Sequence, residues 1–137
     1  MKNPYKFSAY HNTTQSITSG SFGVVSFNTE NFDTNNNFSA STYTAPVAGF
    51  YMFGAGLRAG ATAQRLEIGI GVNGTLVARG SLLFDDDNHS AVGATVQKLV
   101  QLSASDTVDV RALGNSAYTI DSGNAETYFW GYLVSIT

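Results

Sequence analysis

The chain has 137 residues, a formal net charge of −3, no cysteine and only 12% charged residues. This length suits one domain, residues 1–137, and the lack of cysteine excludes a disulfide framework, a thiolate metal site and a cysteine nucleophile. The seven lysines and arginines are scattered singly along the sequence, so no basic stripe indicates a nucleic-acid partner.

The N-terminal third of the chain shows short strand patterns between polar turns. Residues 1–12, MKNPYKFSAYHN, lack the apolar segment of a signal peptide. Along the whole sequence, no run of about 18 apolar residues predicts a membrane-spanning segment. Strands are predicted at residues 7–10 and 22–27. The Asn- and Thr-rich segment that follows is expected to be a polar loop or a pair of short edge strands, anchored by Phe32 and Phe38.

Residues 50–57 form a predicted strand that is apolar on both faces. Phe50 and Met52 share one parity, and Tyr51 and Phe53 share the other. A strand with one hydrated face should alternate apolar and polar residues. We therefore expect both faces of this strand to be covered.

The clearest local signal is a β-hairpin around Asn73 and Gly74. Apolar residues alternate along residues 66–72, and Asn-Gly supplies the two positive-φ positions of a type I′ turn before the chain returns at residues 75–79. Further strands are predicted at residues 94–102, 107–113 and 118–120. About eight to ten strands at this spacing predict an all-β sandwich or jelly roll.

The last predicted strand, residues 128–136, is also apolar on both faces. Tyr128, Trp130 and Tyr132 share one parity, and Phe129 lies on the other. A two-layer sandwich buries only the inner face of each sheet. The second face must be covered by a large loop or by another subunit. We favour a homo-oligomer built through a sheet face.

The densest group of carboxylates is the run Asp85, Asp86 and Asp87. Three adjacent like charges prefer water, so this segment is either a solvated loop or a site for a hard cation such as Ca²⁺, which takes several oxygen ligands. His89 lies beside the run, but no second histidine and no cysteine accompany it, so a loop histidine is favoured over a transition-metal ligand.

Several other side chains have both a structural and a functional interpretation. Arg65, Arg79 and Arg111 are either partners of nearby carboxylates or contacts for an anionic ligand or a neighbouring subunit. Trp130 fits core or interface packing better than sugar stacking, for which Tyr118 is the more exposed candidate. No nucleophile motif frames the Ser, His and Asp residues, so we predict that the protein is not an enzyme.

Four segments follow one another in a distinctive order. They are FSASTYTAPVAGFYMFGAGL, VNGTLV, SAVGATVQKLVQLSASDTVDVRA and ETYFWGYLVSI. In sequence, order and spacing they resemble the complement C1q-like domains of the tumour necrosis factor-like superfamily, over nearly the whole chain. Two departures are modest: Ser105 stands where that family usually has Gly, and Ala45 stands where Cys is commoner.

The resemblance implies a fold and an assembly. Members form a ten-stranded jelly roll in a compact homotrimer, without catalysis, and some bind calcium near the trimer axis at the loop that here holds the three aspartates. By this resemblance the aromatic residues of the core or trimer interface are Tyr51, Phe53, Tyr128, Phe129, Trp130 and Tyr132.

The resemblance also implies a role. Members recognise ligands through loops and outer faces, often at the end of a fibrous stalk, and similar domains occur in bacterial surface filaments and at the tips of phage tail fibres. We therefore expect a recognition or adhesion head, extracellular or on a virion surface, that binds a cell-surface protein or glycan. The alternatives are a purely structural trimerisation cap and a cytokine-like ligand.

Overall fold

A computed structural model describes residues 3–17, 19–60, 65–84, 91–114 and 118–137, with only the backbone described at residues 83 and 84. Strands, turns and loops make up these residues, and no helix that could cross a membrane is found among them. The strands, in chain order, are β1 (Lys6–Tyr10), β2 (Gln15–Ile17), β3 (Gly23–Val24), β4 (Thr29–Asp33), β5 (Phe38–Ser39), β6 (Thr42–Thr44), β7 (Gly49–Gly60), β8 (Arg65–Val72), β9 (Thr75–Phe84), β10 (Ala91–Leu102), β11 (Thr107–Gly114), β12 (Tyr118–Ile120) and β13 (Tyr128–Ile136).

The strands form two antiparallel sheets. In the first sheet the order is β4, β1, β13, β7 and β10, with β12 and β2 beside one end of β7. In the second sheet the order is β5, β6, β11, β8 and β9, with β3 also paired to β11. This arrangement confirms the predicted all-β jelly roll. The described residues contain thirteen strand segments rather than ten, because five of these segments are only two or three residues long.

The long strand β7 is the centre of the first sheet. It pairs with β10 along its whole length, from Gly49 opposite Leu102 to Gly60 opposite Ala91. On its other side it pairs with β13, which places Gly54 opposite Trp130. The two strands that are apolar on both faces are therefore neighbours.

The core between the sheets is rich in aromatic rings. Phe7 stacks on Phe38 and on Tyr43, with ring centroids 4.8 Å apart in each pair, and it meets Phe129 edge-on at 4.8 Å. Burial raises the pKa of the Tyr43 phenol far above its ordinary value. Inner-face packing of this kind lets 137 residues form a stable sandwich without disulfides.

The predicted strand at residues 22–27 is shorter in the structure. Of residues 22–27, only Gly23–Val24 pair as a strand. The Phe27 N–H donates instead to the side-chain oxygen of Ser41 at 2.8 Å, so a side chain replaces the ladder partner.

The Asn- and Thr-rich segment forms short strands, which was one of its two predicted forms. Phe38 anchors it as expected and is 3% exposed, but Phe32 is 47% exposed. The prediction that Phe32 is an anchor is therefore wrong, because this residue lies on an edge strand and points away from the core.

Candidate functional site

The outer face of the first sheet carries a continuous group of aromatic and aliphatic side chains. We call it the aromatic face. It consists of Phe32 on β4, Phe50 and Met52 on β7, Leu99 on β10, and Tyr128, Trp130 and Tyr132 on β13.

Strand β13 supplies the three rings at the centre of this face. Phe129 is fully buried in the core, whereas Tyr128, Trp130 and Tyr132 alternate with it and point outward. The Trp130 and Tyr132 rings stack with centroids 6.1 Å apart and an interplanar angle of 13°. Tyr132 remains 42% exposed.

Two glycines of β7 make room for these rings. A Cβ atom on Gly54 would lie 2.2 Å from Cζ2 of Trp130, and a Cβ atom on Gly56 would lie 2.6 Å from Cζ of Tyr128. The indole and phenol rings therefore lie directly on the backbone of the neighbouring strand. These glycines were not identified from the sequence, although their alternation opposite a strand of large aromatics is the signal that could have revealed them.

The two apolar faces of β7 differ in burial. Tyr51 and Phe53 are fully buried, and the Tyr51 hydroxyl donates to the carbonyl of Val47 at 2.7 Å. Phe50, on the other face, is 37% exposed. Of the six aromatics expected in the core or interface, Tyr51, Phe53 and Phe129 thus belong to the core, and the three of β13 named above belong to the aromatic face.

The aromatic face continues to both sides of β7 and β13. Leu99 lies opposite Met52 and is 52% exposed. Phe32 lies opposite Ser8 on β1, and Ser8 lies opposite Trp130, so these three residues form one row across the sheet. A groove of about 370 Å³ is lined by Phe32, Trp130 and Tyr132, among others.

The end of β13 adds a second apolar groove beside this face. It has a volume of about 510 Å³ and is lined by residues 133–136 together with Asn3, Pro4 and Tyr5. Val134 and Ile136, at this end, are 53% and 68% exposed. Six of the nine large, exposed apolar residues in the described ranges belong to strands of the first sheet, a concentration that is typical of interaction surfaces.

The predicted calcium ligands Asp85, Asp86 and Asp87 lie outside the described residues, as does His89. The part of the chain that is described contains no group of three or more His, Asp or Glu side chains that could hold a metal ion. The calcium site therefore stays a prediction.

Two other residues can be placed. His11 is 1% exposed, and its Nδ1 atom lies 2.6 Å from the carbonyl oxygen of Ser26, so it serves to hold a loop. Tyr118, the predicted exposed ring for sugar stacking, is only 3% exposed. That prediction is wrong, because β12 pairs with β7 and β2 and turns the ring into the core.

Comparison with known proteins gives a consistent result. A family model described as the C1q domain matches residues 6–134. The globular domain of zebrafish complement 1qA is similar in structure, with a TM-score of 0.73 and 18% identity over 97% of this chain and 99% of that one. No curated protein sequence matches.

Two structures of tumour necrosis factor type share the fold at lower identity. Eiger TNF from S. frugiperda has a TM-score of 0.79 and 6% identity over 99% of this chain and 96% of that one. Murine APRIL has a TM-score of 0.69 and 8% identity over 94% of this chain and 99% of that one. These likenesses concern the fold.

Proposed function

The chain belongs to the C1q domain family, and from this premise we propose that it is a homotrimeric recognition head whose subunits meet through the aromatic face. C1q and tumour necrosis factor-like domains typically form extracellular homotrimers that bind receptors, and they are generally non-enzymatic. In the proposal, the trimer stands at the end of a larger fibrous protein, outside a cell or on a virion, and binds a cell-surface protein or glycan.

The observation that carries the proposal is the aromatic face. Tyr132, Leu99 and Phe32 are between two-fifths and just over half exposed in a single chain, on one face of one sheet. Removing apolar area of this kind from water contributes about 25 cal/mol per Å². Stacked rings that are already fixed on Gly54 lose little side-chain freedom when a partner covers them. The face is therefore well suited to a permanent subunit contact.

A sandwich has two outer faces that point in opposite directions. If the first sheet faces the trimer axis, the second sheet and the loops remain accessible on the outside, where a ligand can reach three identical copies. The competing function is a structural cap that only brings three stalk chains into register. The two functions make different predictions, because a cap needs the trimer and no ligand.

The assembly is tested by a matched pair of leucine substitutions. Leu99, 52% exposed, lies on the aromatic face, and Leu82, 45% exposed, lies on the second sheet. We expect Leu99→Asp to shift the particle from trimer to monomer in size-exclusion chromatography with light scattering, because a charge is buried in the contact. Leu82→Asp should leave the trimer intact.

A wild-type chain that is monomeric at all accessible concentrations would contradict the proposed assembly. For recognition, the confirmed trimer is applied to cells and to a glycan array. Specific binding supports the recognition head. A confirmed trimer that binds neither, together with a parent fibre that fails to assemble when residues 1–137 are deleted, would favour the structural cap.

A further inference from the structure

The outer face of the second sheet collects most of the arginines. Of the four arginines in the sequence, all of which are described, three lie on this face, where they meet two carboxylates, although the whole chain has a net charge of −3. We call it the arginine face. It consists of Val24 on β3, Arg65 and Glu67 on β8, Arg79 and Leu82 on β9, and Asp109 and Arg111 on β11.

Ion pairs fix two of these arginines around one carboxylate. Glu67 is 4% exposed and accepts hydrogen bonds from Arg65 and Arg79, each at 3.1 Å. The guanidinium carbon of Arg79 also lies 5.2 Å from the centre of the Phe22 ring. Arg79 is therefore held in place although its side chain is 63% exposed.

Arg111 is held by a second carboxylate. Its Nε and Nη2 atoms donate to the two oxygens of Asp109 at 2.8 Å and 3.0 Å. A Cβ atom on Gly71 would lie 2.4 Å from an oxygen of Asp109, so the pair lies flat over the backbone of β8. This hydrogen bonding raises the pKa of Arg111 above its ordinary value and keeps it charged.

Both guanidinium groups keep donors for a partner. An arginine has five N–H donors. Arg79 uses Nη1 for Glu67, and Arg111 uses one edge for Asp109. The strand register places Arg111 and Arg79 on either side of Gly69, so their backbones are about 10 Å apart. Two preorganised cationic groups at this spacing can each receive a carboxylate.

Exposed aliphatic side chains flank the arginines. Val24 lies next to Arg111 and is 44% exposed, and Leu82 lies opposite Glu67 and is 45% exposed. A sugar ring would need an open aromatic surface, but the Phe22 ring beside this face lies beneath the guanidinium of Arg79. Arginine beside apolar side chains is instead the composition of protein–protein interfaces.

We propose that the arginine face binds a protein partner whose surface presents carboxylates next to apolar side chains. The proposal rests on the proposed function, because a trimer formed through the aromatic face leaves three arginine faces directed away from its axis. Each face then binds the partner weakly, and three together bind a clustered partner with avidity.

The test uses the wild-type trimer as bait for a phage-displayed library of short random peptides. We expect the selected peptides to combine Asp or Glu with Leu, Val, Ile or Phe. A synthetic copy of the strongest peptide should bind about tenfold more weakly to Arg79→Gln. Leu82→Ser, which removes no charged group, should also weaken it, whereas Lys98→Gln, which removes a charge from the first sheet, should not.

Light scattering on every variant gives its oligomeric state, and this measurement distinguishes failure of the proposed trimer from failure of the arginine face as a partner site. Selection of neutral or basic peptides, failure to select any peptide, or binding of the peptide to Arg79→Gln and Leu82→Ser as tightly as to wild type would overturn the arginine face as the partner site. The inference would also be overturned if the trimer bound acidic oligosaccharides and not acidic peptides, and if Arg79→Gln weakened that oligosaccharide binding. A wild-type monomer would overturn the proposed function itself, whereas a trimer that binds cells through another surface would overturn only this inference.

Discussion

Gly54 determines where the ring of Trp130 can lie. The two residues are directly opposite each other on β7 and β13, and the indole occupies the space that any Cβ atom would need. A glycine inside a strand normally weakens it, because it adds backbone freedom and packs nothing. Here the lost side chain is replaced by the face of a tryptophan from the next strand.

This contact predicts the effect of Gly54→Ala. The new methyl group must displace Trp130, so we expect the free energy of unfolding to fall by about 1–3 kcal/mol. Because Trp130 is the only tryptophan, its fluorescence should change as well. The matched control is Gly93→Ala, where the nearest atom would be the Leu57 carbonyl oxygen at 3.6 Å. Equal stability of the two variants in urea unfolding would contradict this account.

The β8–β9 hairpin does more than reverse the chain. Asn73 and Gly74 have φ values of 48° and 82°, as the predicted type I′ turn requires. The Asn73 side chain also donates to Asp106 at 2.8 Å and accepts from the Thr107 N–H at 2.9 Å. The turn is thereby bonded to the loop that joins β10 of the first sheet to β11 of the second.

Hydrogen bonds from Asn73 and from the Ser103 backbone lower the pKa of Asp106. A carboxylate with a lowered pKa in the folded state contributes stability above its unfolded pKa of about 3.9, and this contribution is lost as the pH falls through the folded value. Asn73→Gly keeps the positive φ but removes the side-chain hydrogen bonds to Asp106 and Thr107. The loss of the Thr107 bond alone should cost about 1 kcal/mol at neutral pH.

The test is urea unfolding of wild type and Asn73→Gly at neutral pH and at about pH 3, below the unfolded pKa of Asp106. We expect the difference in stability between the two proteins to be smaller in acid, because wild type has then lost part of its Asp106 contribution. Gly74→Ala is a useful control, since it strains the same turn at positive φ and leaves Asn73 in place. A difference that is independent of pH would contradict the coupling.

The predicted calcium site would depend on how the chains assemble. A cation at Asp85, Asp86 and Asp87 would relieve repulsion within each chain and, near the axis, between three chains. We expect millimolar Ca²⁺ to raise the melting temperature of the wild-type protein relative to chelator, because a ligand of the folded state stabilises it by mass action.

The triple variant Asp85→Asn, Asp86→Asn, Asp87→Asn should melt at the same temperature with calcium and with chelator. Its melting temperature in chelator should be at least that of wild type, since the repulsion is gone. If wild type shows no calcium-dependent shift, the predicted calcium site is wrong and the alternative of a solvated loop is favoured. That outcome would leave the proposed trimer and the arginine face unaffected.

Local sequence patterns were enough to predict the strand periods and the turn that connects two of the strands. Alternation along β8, the Asn73-Gly74 turn and the two strands that are apolar on both faces required only the period of a strand and the φ preference of Asn-Gly. The same local rules failed at Phe27 and Phe32. The backbone of the first bonds to a distant serine, and the second lies at a sheet edge. Both outcomes depend on contacts between residues that are far apart in the sequence.

Which face of β7 is core and which is exposed depends on tertiary packing. Tyr51 and Phe50 are equally apolar by pattern, so an alternating period cannot tell inside from outside when both parities are apolar. Packing of the second sheet on Tyr51 breaks that symmetry and leaves Phe50 partly exposed. The arginine face has the same origin, because Arg79 and Arg111 are far apart in sequence and become neighbours only through the register of three strands.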